Sequence, residues 1–183
     1  MYKTHPQFRA NHRGCESNLP EDPFDVVNIG TFNTRTLYDN ENKLELLIKE
    51  MSRLNIYVLG ISETHWSTEM PESFEIDNYV VIQSSRRDGI HRQGVAFVLH
   101  KSITGHLQGY DLISQRLIMI QIQTKSDPIF IYQVYALDST YPDEEAEAFY
   151  ELLQGQINKL PRKSKIVVLG DFNAKLGPKS YDA

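Results

Sequence analysis

Cysteine, tryptophan and long apolar runs are scarce in this 183-residue chain: it holds one Cys, Cys15, one Trp, Trp66, and no uninterrupted apolar stretch of bilayer length. A lone thiol excludes an internal disulfide and a cysteine-rich zinc site. Nothing around Cys15 resembles the electropositive setting of a catalytic thiolate, so it reads as a free thiol in a tail. A membrane-spanning helix needs roughly 20 consecutive apolar residues, and the N-terminus lacks the charged-then-apolar pattern of a secretory signal. The expectation is an intracellular protein with no membrane partner. Excess positive charge is also missing. At a net charge of −5 the chain is no polycation that coats nucleic acid by counterion release, so any nucleic-acid contact must be local. No internal repeat or low-complexity tract occurs.

What is present suffices for one core. Forty per cent of the residues are hydrophobic, which at this length fits a single domain. Residues 1–24, with Pro6, Gly14, Pro20 and Pro23 and no sustained periodicity, read as a disordered or extended tail, and the domain is placed at 25–183.

Val26 to Phe32 is a strand pattern ending at Asn33, after which Leu44, Leu47, Ile48, Met51 and Leu54 recur at helical spacing. Ile56 to Ser62 is a near-continuous apolar run, as in a strand covered on both faces, and Glu63 follows it. Four further β-rich runs, Tyr79 to Gln83, Val95 to Leu99, Leu117 to Gln123 and Ile129 to Tyr135, read as antiparallel, with turn signals at 86–89, at Gly105 and at 126–128. Pro142-Asp-Glu-Glu145 opens a helix whose buried face is expected from Phe149, Leu152, Leu153, Ile157 and Leu160. A buried strand, Ile166 to Gly170, then delivers Asp171. Strands and helices in this order suggest two packed sheets with helices outside.

Three strand patterns thus end on oxygen-bearing side chains: Asn33, Glu63, and the pair Asp171 and Asn173. Carboxylates and amides suit a hard cation such as Mg²⁺, which accepts few protein ligands and keeps its waters. Any one of these residues has a plainer reading as a turn former or helix cap. Asp171 stands apart, because a carboxylate at the mouth of an apolar strand is costly unless paired or ligated. Tyr135 is either a core aromatic or a donor to a phosphate oxygen. Arg35, Arg86, Arg87 and Arg116 are candidates for substrate contact, with Arg86 and Arg87 joined by His91 and Arg92 in a phosphate-facing loop; the alternative for each is a solvated turn. His65 and Trp66 read either as a general base and a stacking platform or as incidental and core residues.

In series, Thr31-Phe-Asn33, Ile61-Ser-Glu63-Thr, Val134-Tyr135-Ala and Gly170-Asp171-Phe-Asn173 resemble the endonuclease/exonuclease/phosphatase superfamily. The stretches Gly30 to Leu37, Leu59 to Trp66 and Gly170 to Gly177 are similar in particular to endonuclease domains of non-LTR retrotransposons and to craniofacial development protein-like host proteins. The resemblance implies an α/β (α+β) fold, a four-layer α/β/β/α sandwich of two mixed sheets with outer helices, here lacking its C-terminal strands. It also implies Mg²⁺-dependent cleavage of a phosphodiester, with Mn²⁺ as a substitute and DNA, nicked on one strand, as the expected partner. By position, Asn33 orients a phosphate or water, Glu63 ligates the metal with Asp171 and Asn173, Tyr135 donates to the scissile phosphate, and Asp171 acts on the attacking water assisted by Asn173.

The family pattern closes with a Ser-Asp-His segment that this sequence does not contain, and its six histidines all precede Asp171. Phe32 stands where relatives often have Trp, and Leu137 where Pro usually follows Tyr-Ala. The expectation is therefore a nuclease-type domain that is weak or inactive as this chain. A non-catalytic remnant that binds nucleic acid or protein and a phosphoester phosphatase are the alternatives.

Overall fold

The structure, a computed structural model, describes residues 27–37, 41–66, 70–84 and 93–173. The tail assigned to 1–24 and the arginine loop of Arg86, Arg87 and Arg92 lie outside the described residues. Nine strands are described: β1 (Asn28–Asn33), β2 (Ile56–Ser62), β3 (Ser73–Ile76), β4 (Tyr79–Ser84), β5 (Val95–His100), β6 (Leu107–Ser114), β7 (Leu117–Gln123), β8 (Pro128–Tyr135) and β9 (Lys165–Asp171). Two α-helices, α1 (Glu41–Arg53) and α2 (Asp143–Asn158), and a 3-10 turn at Lys101–His106 join them. None of the described helices is long and apolar enough to cross a membrane.

The strands form two mixed sheets, ordered β1-β2-β5-β4-β3 and β6-β7-β8-β9. Alternation along each strand splits the apolar residues into three clusters. Val58, Phe97, Leu99, Ile118, Ile120 and Ile131 fill the space between the sheets. Leu44, Ile48 and Met51 of α1 cover the outer face of the first sheet against Ile61, Val81 and Val98. Phe149 and Leu153 of α2 cover the second against Leu117, Phe130 and Tyr132. The result is the expected α/β/β/α layering, with β2 buried on both faces as its unbroken apolar run requires.

Several details depart from the sequence reading. Leu54 is 47% exposed, because α1 ends at Arg53 and Asn55 takes a left-handed φ of 51° that turns the chain into β2. Leu152 is 38% exposed, since it lies a third of a turn away from the Phe149–Leu153 stripe that meets the sheet. β3 and β6 had no clear pattern, being short or rich in polar residues. The turn signal at Gly105 falls in the 3-10 turn between β5 and β6. β9 is half-buried, with Ile166 38% exposed; among the described residues it pairs on one flank only, with β8. β1, at the end of the other sheet, packs against β9.

Most neighbouring strands are antiparallel, but β1 with β2 and β8 with β9 are parallel. Each parallel pair is joined by a helix, so both of its C-terminal ends emerge on the same edge of their sheet. The two pairs face one another across the sandwich, and the space between them turns polar toward that edge: Thr31 Oγ1 donates to the buried Gln133 Oε1 at 3.1 Å, with Asn33, Tyr135 and Asp171 one step beyond. Gly60 permits this approach, because a Cβ there would overlap the Gln133 carboxamide. Gly170, with φ 142°, sits where a Cβ would strike the Val134 carbonyl oxygen. Replacing Gly170 by Ala is expected to cost about 1–3 kcal/mol for the backbone conformation alone, with the overlap added, and urea unfolding of the variant checks this.

Candidate active site

β1 ends on Asn33, whose Nδ2 donates to Glu63 Oε1 at 2.7 Å and to Asp171 Oδ2 at 2.7 Å. Glu63 follows β2 in the first sheet and Asp171 ends β9 in the second, so one carboxamide bridges carboxylates from both sheets. The amide orientation is fixed from behind, since the Arg35 backbone N–H donates to Asn33 Oδ1 at 2.9 Å.

The loop that supplies this N–H is held in an uncommon shape. Arg35 and Thr36 have φ of 48° and 84°, and Lys43 of α1 donates to the carbonyls of Thr34 at 2.6 Å and Thr36 at 2.9 Å. Thr34 Oγ1 donates to the Ser62 and Glu63 carbonyls at 2.8 and 3.0 Å, tying the β1 end to the β2 end. Glu63, His65 and Asn173 also have positive φ, at 57°, 55° and 47°. Such conformations persist only where surrounding contacts over-determine them, and here they gather at the ends of the parallel strands.

Asp171 is oriented in turn by Asn173, whose backbone N–H donates to Asp171 Oδ1 at 3.0 Å and whose Nδ2 donates to the Ala136 carbonyl at 2.8 Å. That leaves the Asn173 Oδ1 to accept a proton donor or ligate a cation. The Tyr135 phenol has its pKa pushed up to about 12, first by burial, then by the Glu63 charge, with Arg116 opposing. Near neutral pH this phenol is therefore a neutral donor.

Of the residues singled out in the sequence, Asn33, Glu63, Tyr135, Asp171 and Asn173 converge. Arg35 contributes its backbone N–H, while its side chain is exposed. Arg116 is only 8% exposed and lies behind Tyr135 instead of on an open surface. Trp66 is buried edge-on against Phe74, with ring centroids 5.8 Å apart, which is the core reading; His65 is half-buried beside it. Lys43, Gln133 and Tyr141 were not anticipated. Gln133 carried a signal, a polar residue inside Ile131-Tyr-Gln-Val134, whereas Lys43 and Tyr141 look like ordinary surface residues.

Two carboxylates accepting from a single nitrogen have oxygens no further apart than twice one hydrogen-bond length, a spacing at which a divalent cation would relieve their repulsion. Among the described residues no three or more His, Cys, Asp and Glu side chains form a cage. Two carboxylates with flanking amides are the sparse oxygen set that Mg²⁺ accepts and that a zinc site does not favour.

The sequence profile of the Endonuclease/Exonuclease/phosphatase family matches residues 30–182. The chain belongs to this family. Craniofacial development protein 2 of Bos taurus is 35% identical over 149 residues, and its counterpart from Tragulus javanicus 34%. The alignments cover 81% of this chain but 24% and 25% of those proteins, so the chain spans about a quarter of their length. Among solved structures, the Xenopus laevis APE2 catalytic domain superposes with a TM-score of 0.62 at 17% identity, covering 80% of this chain and 58% of that one. The endonuclease domain of TRAS1, a telomere-specific non-LTR retrotransposon, gives 0.58 at 16% identity, covering 82% and 61%. At such identities these likenesses establish the fold, and the packing of two mixed sheets seen in the described residues is that of these neighbours.

Because the folded Tyr135 pKa lies above the ordinary value of 10.0, its contribution to stability is complete below pH 10 and is lost as pH rises through about 12. Tyrosine ¹³Cζ titration by NMR should find Tyr135 titrating above the exposed tyrosines, and Glu63→Gln should move it down by removing the neighbouring charge.

Proposed function

We propose that this domain hydrolyses phosphodiesters in a Mg²⁺-dependent reaction, with DNA nicked on one strand as the substrate. The observation that carries the reading is the bridge from Asn33 to Glu63 and Asp171, which brings carboxylates of two sheets to one point beside a protonated phenol. Glu63 and Asp171, with Asn173 Oδ1, would hold the metal, which when bound supplies charge neutralisation and polarisation of a phosphoryl oxygen. Mn²⁺ fits the same oxygen set.

Each side chain then has a definite task. Asp171, oriented by the Asn173 N–H, accepts the proton of an attacking water. Tyr135 donates its O–H to a non-bridging phosphate oxygen and stabilises charge as it grows there, the kind of donor whose removal costs about 10²–10³ in rate. Asn33, locked by the Arg35 N–H, ties the two carboxylates with its two Nδ2 protons and gives up one of these bonds when it turns that proton to the same phosphate. The names of two solved neighbours are consistent with a nucleic-acid substrate: an AP endonuclease from Leishmania major, and D. rerio TDP2 complexed with a single-strand DNA product.

A second reading is favoured by the position of the histidines, all six of which precede Asp171. Without the family-type Ser-Asp-His histidine to protonate the leaving oxygen, these residues would bind nucleic acid or a protein without turning it over. Plasmid nicking separates the two, using this chain and the same chain extended with a family-type Ser-Asp-His segment. The expected result is Mg²⁺- or Mn²⁺-dependent nicking by the extended chain, abolished by Asp171→Ala and lowered about 10²-fold by Tyr135→Phe. Nicking that survives Asp171→Ala would refute the assignment, and binding without nicking in both forms would establish the second reading.

A further inference from the structure

Arg116 is a buried cation in a place where the family site already has its groups. It follows β6 in the turn to β7, and its guanidinium lies between two aromatic rings, 4.6 Å from the Tyr135 centroid and 5.1 Å from that of Tyr141. Nη1 donates to the carbonyls of Tyr135 at 3.3 Å and Ala136 at 3.4 Å, and Nη2 to the Tyr141 hydroxyl at 3.0 Å. Burying a guanidinium is costly unless its donors are satisfied, and here they are turned toward the protein.

The same turn joins the two sheets through backbone bonds. The Tyr135 N–H donates to the Arg116 carbonyl at 2.9 Å, and the Gly94 N–H to the Gln115 carbonyl at 3.1 Å. Thr64, next to Glu63, donates its N–H to the Gly94 carbonyl at 3.2 Å. Ser84 Oγ of β4 anchors the turn by donating to the Ser114 carbonyl at 2.9 Å. A peptide-to-peptide relay therefore runs from Glu63 of the first sheet to Tyr135 of the second, and Arg116 is its junction.

We propose that Arg116, with Tyr141, is a positioning residue that clamps Tyr135 against Glu63, and that it makes no contact with substrate. The proposal deepens the phosphodiesterase reading and rests on it for its catalytic meaning. A planar fork stacked between two rings cannot be reproduced by a lysine, which is a compact point charge without that geometry. The clamp is therefore a matter of shape, and retaining the charge alone does not preserve it. A substrate-binding arginine behaves oppositely: lysine substitutes in part, and each lost phosphate contact reduces the salt dependence of binding by about one unit of slope.

The test uses the full chain and the variants Arg116→Lys, Arg116→Met and Tyr141→Phe, the last removing only a hydroxyl. The first readout needs neither metal nor DNA: ¹³C-resolved ring signals of Tyr135. Under the clamp, Arg116→Lys and Arg116→Met shift and broaden those signals alike, and Tyr141→Phe moves them in the same direction by less. The second readout is the slope of log Kd against log salt for a short duplex DNA, which should match the parent in every variant. Parent-like Tyr135 signals in Arg116→Lys or in Arg116→Met, or a slope reduced by about one unit in Arg116→Met but not in Arg116→Lys, would overturn the proposal. If either Arg116 variant fails to fold, Tyr141→Phe decides by itself, and unshifted Tyr135 signals there would overturn it. If the parent binds no DNA, the substrate reading fails, while the ring signals still decide the clamp.

Discussion

Two carboxylates, one from each sheet, are held to a single carboxamide at 2.7 Å each, and the rest of the molecule can be understood as the means of bringing them there. Like charges so close repel unless a donor or cation stands between them. Parallel pairing sets Asn33 beside the end of β2 and Tyr135 beside Asp171, because parallel neighbours deliver their C-terminal ends to the same edge. Among the described residues there are two such pairs, each closed by a helix, in sheets whose other pairings are antiparallel. The apolar layer between the sheets supplies cohesion, and its change from Val58 and Ile131 to Thr31 and Gln133 to Asn33 and Asp171 sets where the cohesion ends and the chemistry begins.

Backbone strain accumulates at that edge. Five residues with left-handed φ, at positions 35, 36, 63, 65 and 173, lie in the loops leaving β1, β2 and β9, and each conformation costs on the order of 1–3 kcal/mol. Their compensation is local: Lys43 on two carbonyls, Thr34 across to the β2 end, Asn173 on Ala136. The fixed donors and acceptors that result need little rearrangement when charge develops, which is the condition under which electrostatic stabilisation is most effective.

Much of this could be read from the sequence, and the parts that could not share a cause. β2 and α1 were legible because burial imposes a period: unbroken apolar for a strand covered twice, three-to-four spacing for a helix on a sheet. Asn33, Glu63, Tyr135, Asp171 and Asn173 were legible because each ends or follows an apolar run with a residue type that does not belong in one. β3 escaped because four residues are too few to establish a period, β6 because Gln108, Gly109 and Asp111 blur its alternation, and Leu152 because helical spacing cannot tell a buried position from its neighbour at the rim. The place of Arg116 was beyond reach, since an arginine in a turn is ordinarily solvated and only the tertiary approach of Tyr135 and Tyr141 buries it. Lys43 likewise declares its role only once the β1–α1 loop is seen folded beneath it.

The claim on which the account turns is that the ends of the two parallel strand pairs form one cation-binding mouth. Titrating the ¹⁵N-labelled chain with substoichiometric Mn²⁺ measures this directly through paramagnetic broadening of amide signals. Asn33, Glu63, Tyr135 and Asp171 are expected to broaden first. Ile56 and Lys165, at the opposite ends of their strands and roughly 20 Å away at about 3.3 Å per residue, should stay sharp. Broadening centred elsewhere, or spread evenly over the surface carboxylates, would contradict it.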